Sequence, residues 1–277
     1  MVSFQNDQAA GLRRIMATPK PRVVSVISAS STDQSRMMIN LAASIRTQGG
    51  DVLIMHASNS TREASYEVDK TPTLLEIAKA SAPLSTAVKH TKQEFAVAKL
   101  LPKNQVSTPL NSKAGTILNQ LFDEVVVQYD IVLVDATLNN DDLLPLKTLN
   151  DSDILIQLTR DPESIKDAYA LIKRICSQLG RRSFGIIVDD ANDAQAEVVF
   201  NNIAHVAKRF MQVELEFFGA IPADVHLNKA AKLGRPIIDA FPLTPAANAF
   251  KQIAQRLNSK SVRIPDISML QNSSALV

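Results

Sequence analysis

The turn between the first apolar run and the helical stretch that follows it, Ser28–Ser35 (SASSTDQS), is the first place to look for chemistry. In an open α/β sheet, ligands gather at the carboxyl ends of strands, beginning with strand one. A phosphate loop there needs glycines, because its backbone N–H groups must converge on phosphate oxygens without Cβ interference. It also needs a lysine for the phosphate charge and a Ser or Thr hydroxyl for Mg²⁺. Ser28–Ser35 holds no glycine and no lysine, and only Ser35 stands where the Mg²⁺-binding hydroxyl would be. Asp33 opposes an anion further: a carboxylate about 4 Å from a phosphate charge costs roughly 4 kcal/mol at an effective dielectric near 20. The expected tenant of the helix start is the protein itself, with Thr32 or Asp33 as N-cap.

Asp135 ends the run Ile131–Asp135 (IVLVD) before a polar turn, the right place for an outer-sphere Mg²⁺ ligand and equally for a local cap. The second run, Val52–His56, leads into Ala57-Ser58 with no carboxylate to position a water. With neither nucleophile nor orienting partner in view, His56 is not assigned a general-base role. Ser30, Ser31, Thr32, Asp33, Ser35 and Asp135 therefore read as a vestigial nucleotide site, with no catalytic residue and no cofactor expected. In the alternative, an unorthodox loop of Ser30, Ser31, Thr32 and Ser35 with Asp135 still binds Mg²⁺–ATP and hydrolyses it slowly. His56, His90, His205 and His226 are scattered, so no metal site is expected, and the single cysteine, Cys176, excludes an internal disulfide.

The glycine count decides the point about phosphate: there are eight, at 11, 49, 50, 115, 180, 185, 219 and 234, leaving none between Leu12 and Gln48. The 277 residues are 45% hydrophobic and 21% charged, which excludes a disordered or fibrous chain. A formal charge of +2 gives no electrostatic grip on nucleic acid. No apolar run approaches the roughly 20 residues of a membrane span. The N-terminal stretch lacks the apolar block of a secretory signal, so the cytoplasm is the expected location.

Apolar runs at Val23–Ser28, Val52–His56, Ile131–Asp135, Ile154–Leu158, Phe184–Val188 and Leu215–Gly219 predict strands covered on both faces. Helical spacing at Gln34–Gln48, Ser164–Leu179, Ala194–Phe210 and Pro245–Leu257 predicts the helices between them. The alternation implies a doubly wound, mostly parallel α/β sheet with helices on both faces and right-handed crossovers. Asn59–Ser112 fits less well; it carries two short helical patterns, Leu74–Ala80 and Leu84–Lys89, and a strand at Phe95–Leu101. The organisation is an N-terminal helix and linker (1–21), one α/β domain (22–258) and a polar tail (259–277).

The order of elements, with YDIVLVDA, RDPESIKDAYALIKRI, FFGAIPAD and PLTPAANAFKQIAQRL, resembles the MinD/ParA-type ATPases of the SIMIBI class, P-loop NTPases by fold. Among these, Asp161–Ile175 looks most like the flagellar-number regulators of the FlhG (FleN) kind. At the front, Asp7-Gln8-Ala9-Ala10-Gly11-Leu12-Arg13-Arg14 is similar to the DQAxxLR pattern of that subfamily. The resemblance implies a short helix that docks on the FlhF-type signal-recognition GTPase and stimulates GTP hydrolysis. Asp7 would cap that helix, with Ala9, Leu12, Ile15 and Met16 on one face. By carry-over, Gln8 positions the attacking water, Leu12 anchors and Arg13 clamps; an amide and an arginine supplied in trans suit phosphoryl transfer.

This chain departs from the family's KGGVGKT loop, whose counterpart, approximately Ala29–Ser35, has lost both lysines and all glycines. His56 and Ser58 stand for an acidic pair, Asp189 for an adenine-contacting Asn, and only Asp135 remains. Pro245–Leu257 reads as a core-packing helix, and Ile264–Leu270, with Pro265 and Asp266, as too short for a stable membrane anchor. The expected protein is thus a pseudo-ATPase that regulates flagellar placement and number by protein contact, leaning away from an enzyme. The expected partner is the FlhF-type GTPase, with a flagellar transcription activator (the antiactivator alternative) or flagellar switch proteins as others. No nucleic acid is expected, membrane association is at most indirect, and partners would recruit the protein to the cell pole or inner membrane face.

Overall fold

A computed structural model of the chain describes residues 21–30, 34–59, 61–108 and 110–259. The strands are β1 (Arg22–Ser28), β2 (Val52–Ala57), β3 (Val88–His90), β4 (Ala96–Lys99), β5 (Ile131–Ala136), β6 (Asp153–Leu158), β7 (Phe184–Asp189) and β8 (Leu215–Ile221). They form one sheet in the order β3-β4-β2-β5-β1-β6-β7-β8, parallel throughout except for the antiparallel β3–β4 pair. The helices are α1 (Gln34–Thr47), α2 (Leu74–Ala80), α3 (Ser112–Val126), α4 (Pro162–Leu179), α5 (Asp193–Met211), α6 (Val225–Lys232), α7 (Ile237–Ala240) and α8 (Pro245–Asn258).

Strand side chains alternate between two cores, because successive residues point to opposite faces. On one side Val24, Val26, Leu133 and Ile187 pack under α1, α6, α7 and α8. On the other, Ile27, Val132, Val134 and Ile186 pack under α2, α3, α4 and α5. This is the doubly wound, mostly parallel sheet that the alternation predicts. Strand addition changes direction at β1, which has β5 on one side and β6 on the other. The carboxyl rim at that point is where such a fold places its ligands.

The irregular segment departs from its expected form. Leu84–Lys89, expected to be helical, is a 3₁₀ turn at Leu84–Ala87 followed directly by β3. Pro83, with extended ψ, opens the turn, and the pairing of Val88 with Ala98 draws the chain into the sheet. The strand expected at Phe95–Leu101 is confined to Ala96–Lys99. Helix α3, unassigned from the sequence, is capped by Asn111, whose side chain accepts from the Ala114 N–H, and buries Leu118, Phe122, Val125 and Val126.

Two ties fix the margins of the sheet. At the amino rim, Arg22 pairs with Asp153 at 2.8 Å and donates 2.6 Å to the Leu257 carbonyl, joining β1 to the end of α8. At the β8 edge the register jumps between Ile186 and Ile187, which opposes Gly219 (φ +155°). A Cβ on Gly219 would lie 2.8 Å from Ile253, so the bulge lets α8 approach closely. Arg256 donates to the Phe217 carbonyl on the same edge.

Candidate functional site

The carboxyl rim of β2 and β5 holds a buried polar knot centred on Asp135. Register places His56 of β2 opposite Asp135 of β5, and both point to the α1 face. His56 Nδ1 lies 3.0 Å from Asp135 Oδ2, and Tyr66 Oη donates to the same oxygen at 2.9 Å. Thr61 Oγ1 contributes a longer contact of 3.4 Å to Oδ1. Asp135 is fully buried, so these protein donors answer a carboxylate that water does not reach. An acceptor-only carboxylate orients His56 with Nδ1 as donor. The Tyr66 ring stands against the imidazole at a centroid distance of 5.4 Å, tilted by 55°.

A second charge is settled alongside. Lys99 of β4, in register with His56, is buried and donates to Glu63 Oε2 at 2.8 Å. Glu63 and Tyr66 begin and end one 3₁₀ turn, Glu63–Tyr66, which closes on Glu67 in the left-handed region at φ +56°. That single turn supplies a carboxylate for Lys99 and a hydroxyl for Asp135. His56, left without a partner in the sequence reading, is given one by the fold. Tyr66, Thr61, Glu63 and Lys99 were not singled out from the sequence; Lys99 ends the apolar strand AVAK, and a lysine there was the one available signal.

The rim of β1, β6 and β7 carries the other candidates. Ser28 Oγ accepts from the Ser30 N–H at 3.1 Å, and Ala29 N–H donates to the Gln157 carbonyl at 2.8 Å. Ser35 is buried in the first turn of α1. Ser31, Thr32 and Asp33, and with them the expected N-cap, lie outside the described residues. Gln157, buried in the apolar run ILIQL, donates 2.8 Å to Asp189 Oδ2, and the Asp190 N–H reaches Oδ1 at 2.9 Å. Burial pushes the Asp189 carboxyl up, against these hydrogen bonds and the nearby Arg36 charge. The amide oxygens of Gln34 and Gln157 have no hydrogen-bond partner among the described residues. The structure thus gathers Ser30, Ser35 and Asp135 at one rim, while Asp7, Gln8, Ala9, Leu12 and Arg13 lie outside the described residues.

The residues present match Mg²⁺–ATP poorly. Asp135 is the carboxylate a metal-bound water would use, and its oxygens already accept from His56, Tyr66 and Thr61. The loop sequence between Ser28 and Ser35 has no cation to offer a triphosphate.

Comparison with known proteins gives three bearings. No family model matches the chain. Antiactivator FleN of Pseudomonas aeruginosa is 25% identical over 229 residues, covering 82% of this chain and 82% of that protein. Among solved structures, the septum site-determining protein MinD of Pyrococcus horikoshii, complexed with Mg-ADP, superposes with a TM-score of 0.65. It has 16% identity, covering 86% of this chain and 96% of that one. A ParA family ATPase from Chlorobium tepidum gives 0.62 at 19% identity, covering 86% and 99%. These structural likenesses bear on the fold alone.

Proposed function

We propose that this chain, of MinD/ParA type and FleN-like, is a flagellar regulator that acts by protein contact rather than by ATP turnover. The observation that carries the reading is the saturation of Asp135. In a working phosphate site that carboxylate faces a hydrated cation; here an imidazole and a phenol meet it instead, brought by β2 and by the Glu63–Tyr66 turn. The absence of lysine and glycine from Ser28–Ser35 supports the same conclusion from the phosphate side. The protein then lacks the ligand-driven switch of an ATPase and presents fixed surfaces.

The partner-facing element is Asp7–Arg14, which engages an FlhF-type GTPase, with Gln8 orienting water, Leu12 anchoring and Arg13 steadying the phosphoryl charge. Mixing the full-length protein with that GTPase tests this. We expect faster GTP turnover, lost in Gln8→Ala and Arg13→Ala; unchanged turnover with no binding removes the reading.

The similarity to an antiactivator favours a second reading, in which the chain holds a flagellar transcription activator through its α/β domain. A Leu12→Ser variant separates the two: it abolishes the GTPase effect and leaves activator binding intact under the second reading. The Mg-ADP held by the Pyrococcus protein keeps ATP binding as the counter-hypothesis. Equilibrium dialysis against Mg²⁺–ATP decides it, since micromolar affinity sensitive to Asp135→Ala would overturn the pseudo-ATPase reading.

A further inference from the structure

Helices α4 and α5 both end at the amino rim of the sheet, since each returns the chain from one parallel strand to the start of the next. Their final halves and the turns that follow are basic. From Ala168 to Val188 the chain carries Lys173, Arg174, Arg181 and Arg182 and no carboxylate; from Val198 to Val213 it carries Lys208 and Arg209 and again none. Part of this charge is used internally. Arg174 pairs with Asp142, Lys208 pairs with Glu214 at 2.9 Å, and Arg182 donates to the carbonyls of Asn150 and Ser152. Arg181 and Arg209 are exposed and make no ion pair among the described residues.

Phe210 stands beside them, 66% exposed, the one aromatic among the exposed large apolar side chains of the described residues. The Arg209 guanidinium lies over its ring, 5.3 Å from the centroid, so the two groups are presented together. Arg181 belongs to the same patch because the turns entering β7 and β8 are joined: the Phe184 N–H donates 3.4 Å to the Glu214 carbonyl. The rim is also continuous with the point at which residues 1–20 join the body. Arg22 opens β1 and pairs with Asp153, and Arg182 donates to the Ser152 carbonyl next to it. From β1 to β7 and β8 is two and three strand spacings, roughly 10–15 Å. The chain from Arg14 to Arg22 can span about 28 Å at full extension, so a partner engaged by Asp7–Arg14 comes within reach of this rim.

We propose that the patch of Arg181, Arg209 and Phe210 is a docking surface for an acidic protein surface. It makes the second contact with the partner that holds Asp7–Arg14, a proposal that rests on the reading of that segment as partner-facing. Aromatic side chains and arginine are the groups that protein interfaces concentrate, whereas lysine is depleted there. An arginine fork meets a carboxylate bidentately, and the ring beneath Arg209 gives a flat apolar anchor beside it. A nucleic-acid backbone fits less well. Glu214 and Asp151 lie on the same rim, at the entries to β8 and β6, and a row of phosphates would meet both carboxylates. A protein surface can set neutral or basic groups against them.

The test titrates the full-length protein into the FlhF-type GTPase and follows binding and GTP turnover together. Wild type should stimulate turnover, with a half-saturating concentration that rises with salt. Arg209→Glu with Phe210→Ser should raise that concentration about tenfold and leave turnover at saturation unchanged, because Gln8 and Arg13 are intact. Arg181→Glu alone should raise it about fivefold. All three positions are exposed, and unchanged melting temperatures confirm intact folds. Lys113→Glu, an exposed cation at the start of α3, should change nothing. Wild-type stimulation with no shift in the rim variants overturns this proposal alone. A fall in saturating turnover overturns it too, since it would place these residues in the stimulating contact. No binding and no stimulation by wild type overturns it together with the reading on which it rests. A short random duplex DNA that binds through Arg181 and Arg209, while the GTPase titration is unmoved, overturns it in favour of nucleic acid.

Discussion

Replacing Tyr66 by Phe removes one atom from the Asp135 knot and leaves the ring stacked on His56. The hydroxyl donates 2.9 Å to a carboxylate with no solvent exposure, so nothing replaces the lost donor. Hydrogen bonds to charged groups contribute about 1.5–3 kcal/mol, and a change of about 2 kcal/mol is expected. For a chain of 277 residues that is a fall of roughly 3–4 °C in melting temperature. The sharper measurement is a double-mutant cycle with Asp135→Asn, followed by urea unfolding. With a neutral amide in place of the carboxylate, the same Tyr66→Phe change should cost only about 1 kcal/mol, leaving a coupling near 1 kcal/mol. An equal cost in both backgrounds would show that Tyr66 does not answer the charge on Asp135. The account of this rim as closed by side chains would then fail.

Mg²⁺–ATP in excess should leave the melting temperature unchanged, whereas a ligand at about a hundredfold over its Kd adds about 2.7 kcal/mol. Asp189→Asn should stabilise the protein at neutral pH. Burial raises the native carboxyl, so the folded state holds a proton that the unfolded chain has released, and stability falls as pH rises through that window. The variant loses this slope, and a flipped Gln157 can accept the new amide N–H through its amide oxygen, which has no partner among the described residues; melting curves from about pH 4, the ordinary carboxylate range, up to about pH 8 check both. Gly185→Ala should cost about 2–3 kcal/mol in urea unfolding, since its Cβ would fall 2.2 Å from Leu155 Cδ2 and 2.7 Å from Phe218 Cδ2.

Most of the fold was legible because parallel strands buried on both faces leave unbroken apolar runs: ILIQL and FGIIV need no alternation to be read. Helix α3 escaped despite Leu118, Phe122, Val125 and Val126 falling on one stripe, because Gly115 and Asn119 dilute its first turns. Leu84–Lys89 was misread since its apolar spacing suits a helix, while the antiparallel partner that claims Val88 comes from residues beyond the turn. The want of lysine and glycine in Ser28–Ser35 was legible because it is a matter of composition alone. The knot was not, because its members His56, Thr61, Tyr66 and Asp135 are joined only when β2 lies against β5 and the turn folds over them. Periodicity reports which face a residue occupies, never which neighbour meets it there.

Arg22 sits where the first strand begins and grips the last turn of the final helix. The first strand and the last helix are therefore closed by one clasp, so removing the Arg22 guanidinium would loosen both margins of the sheet together.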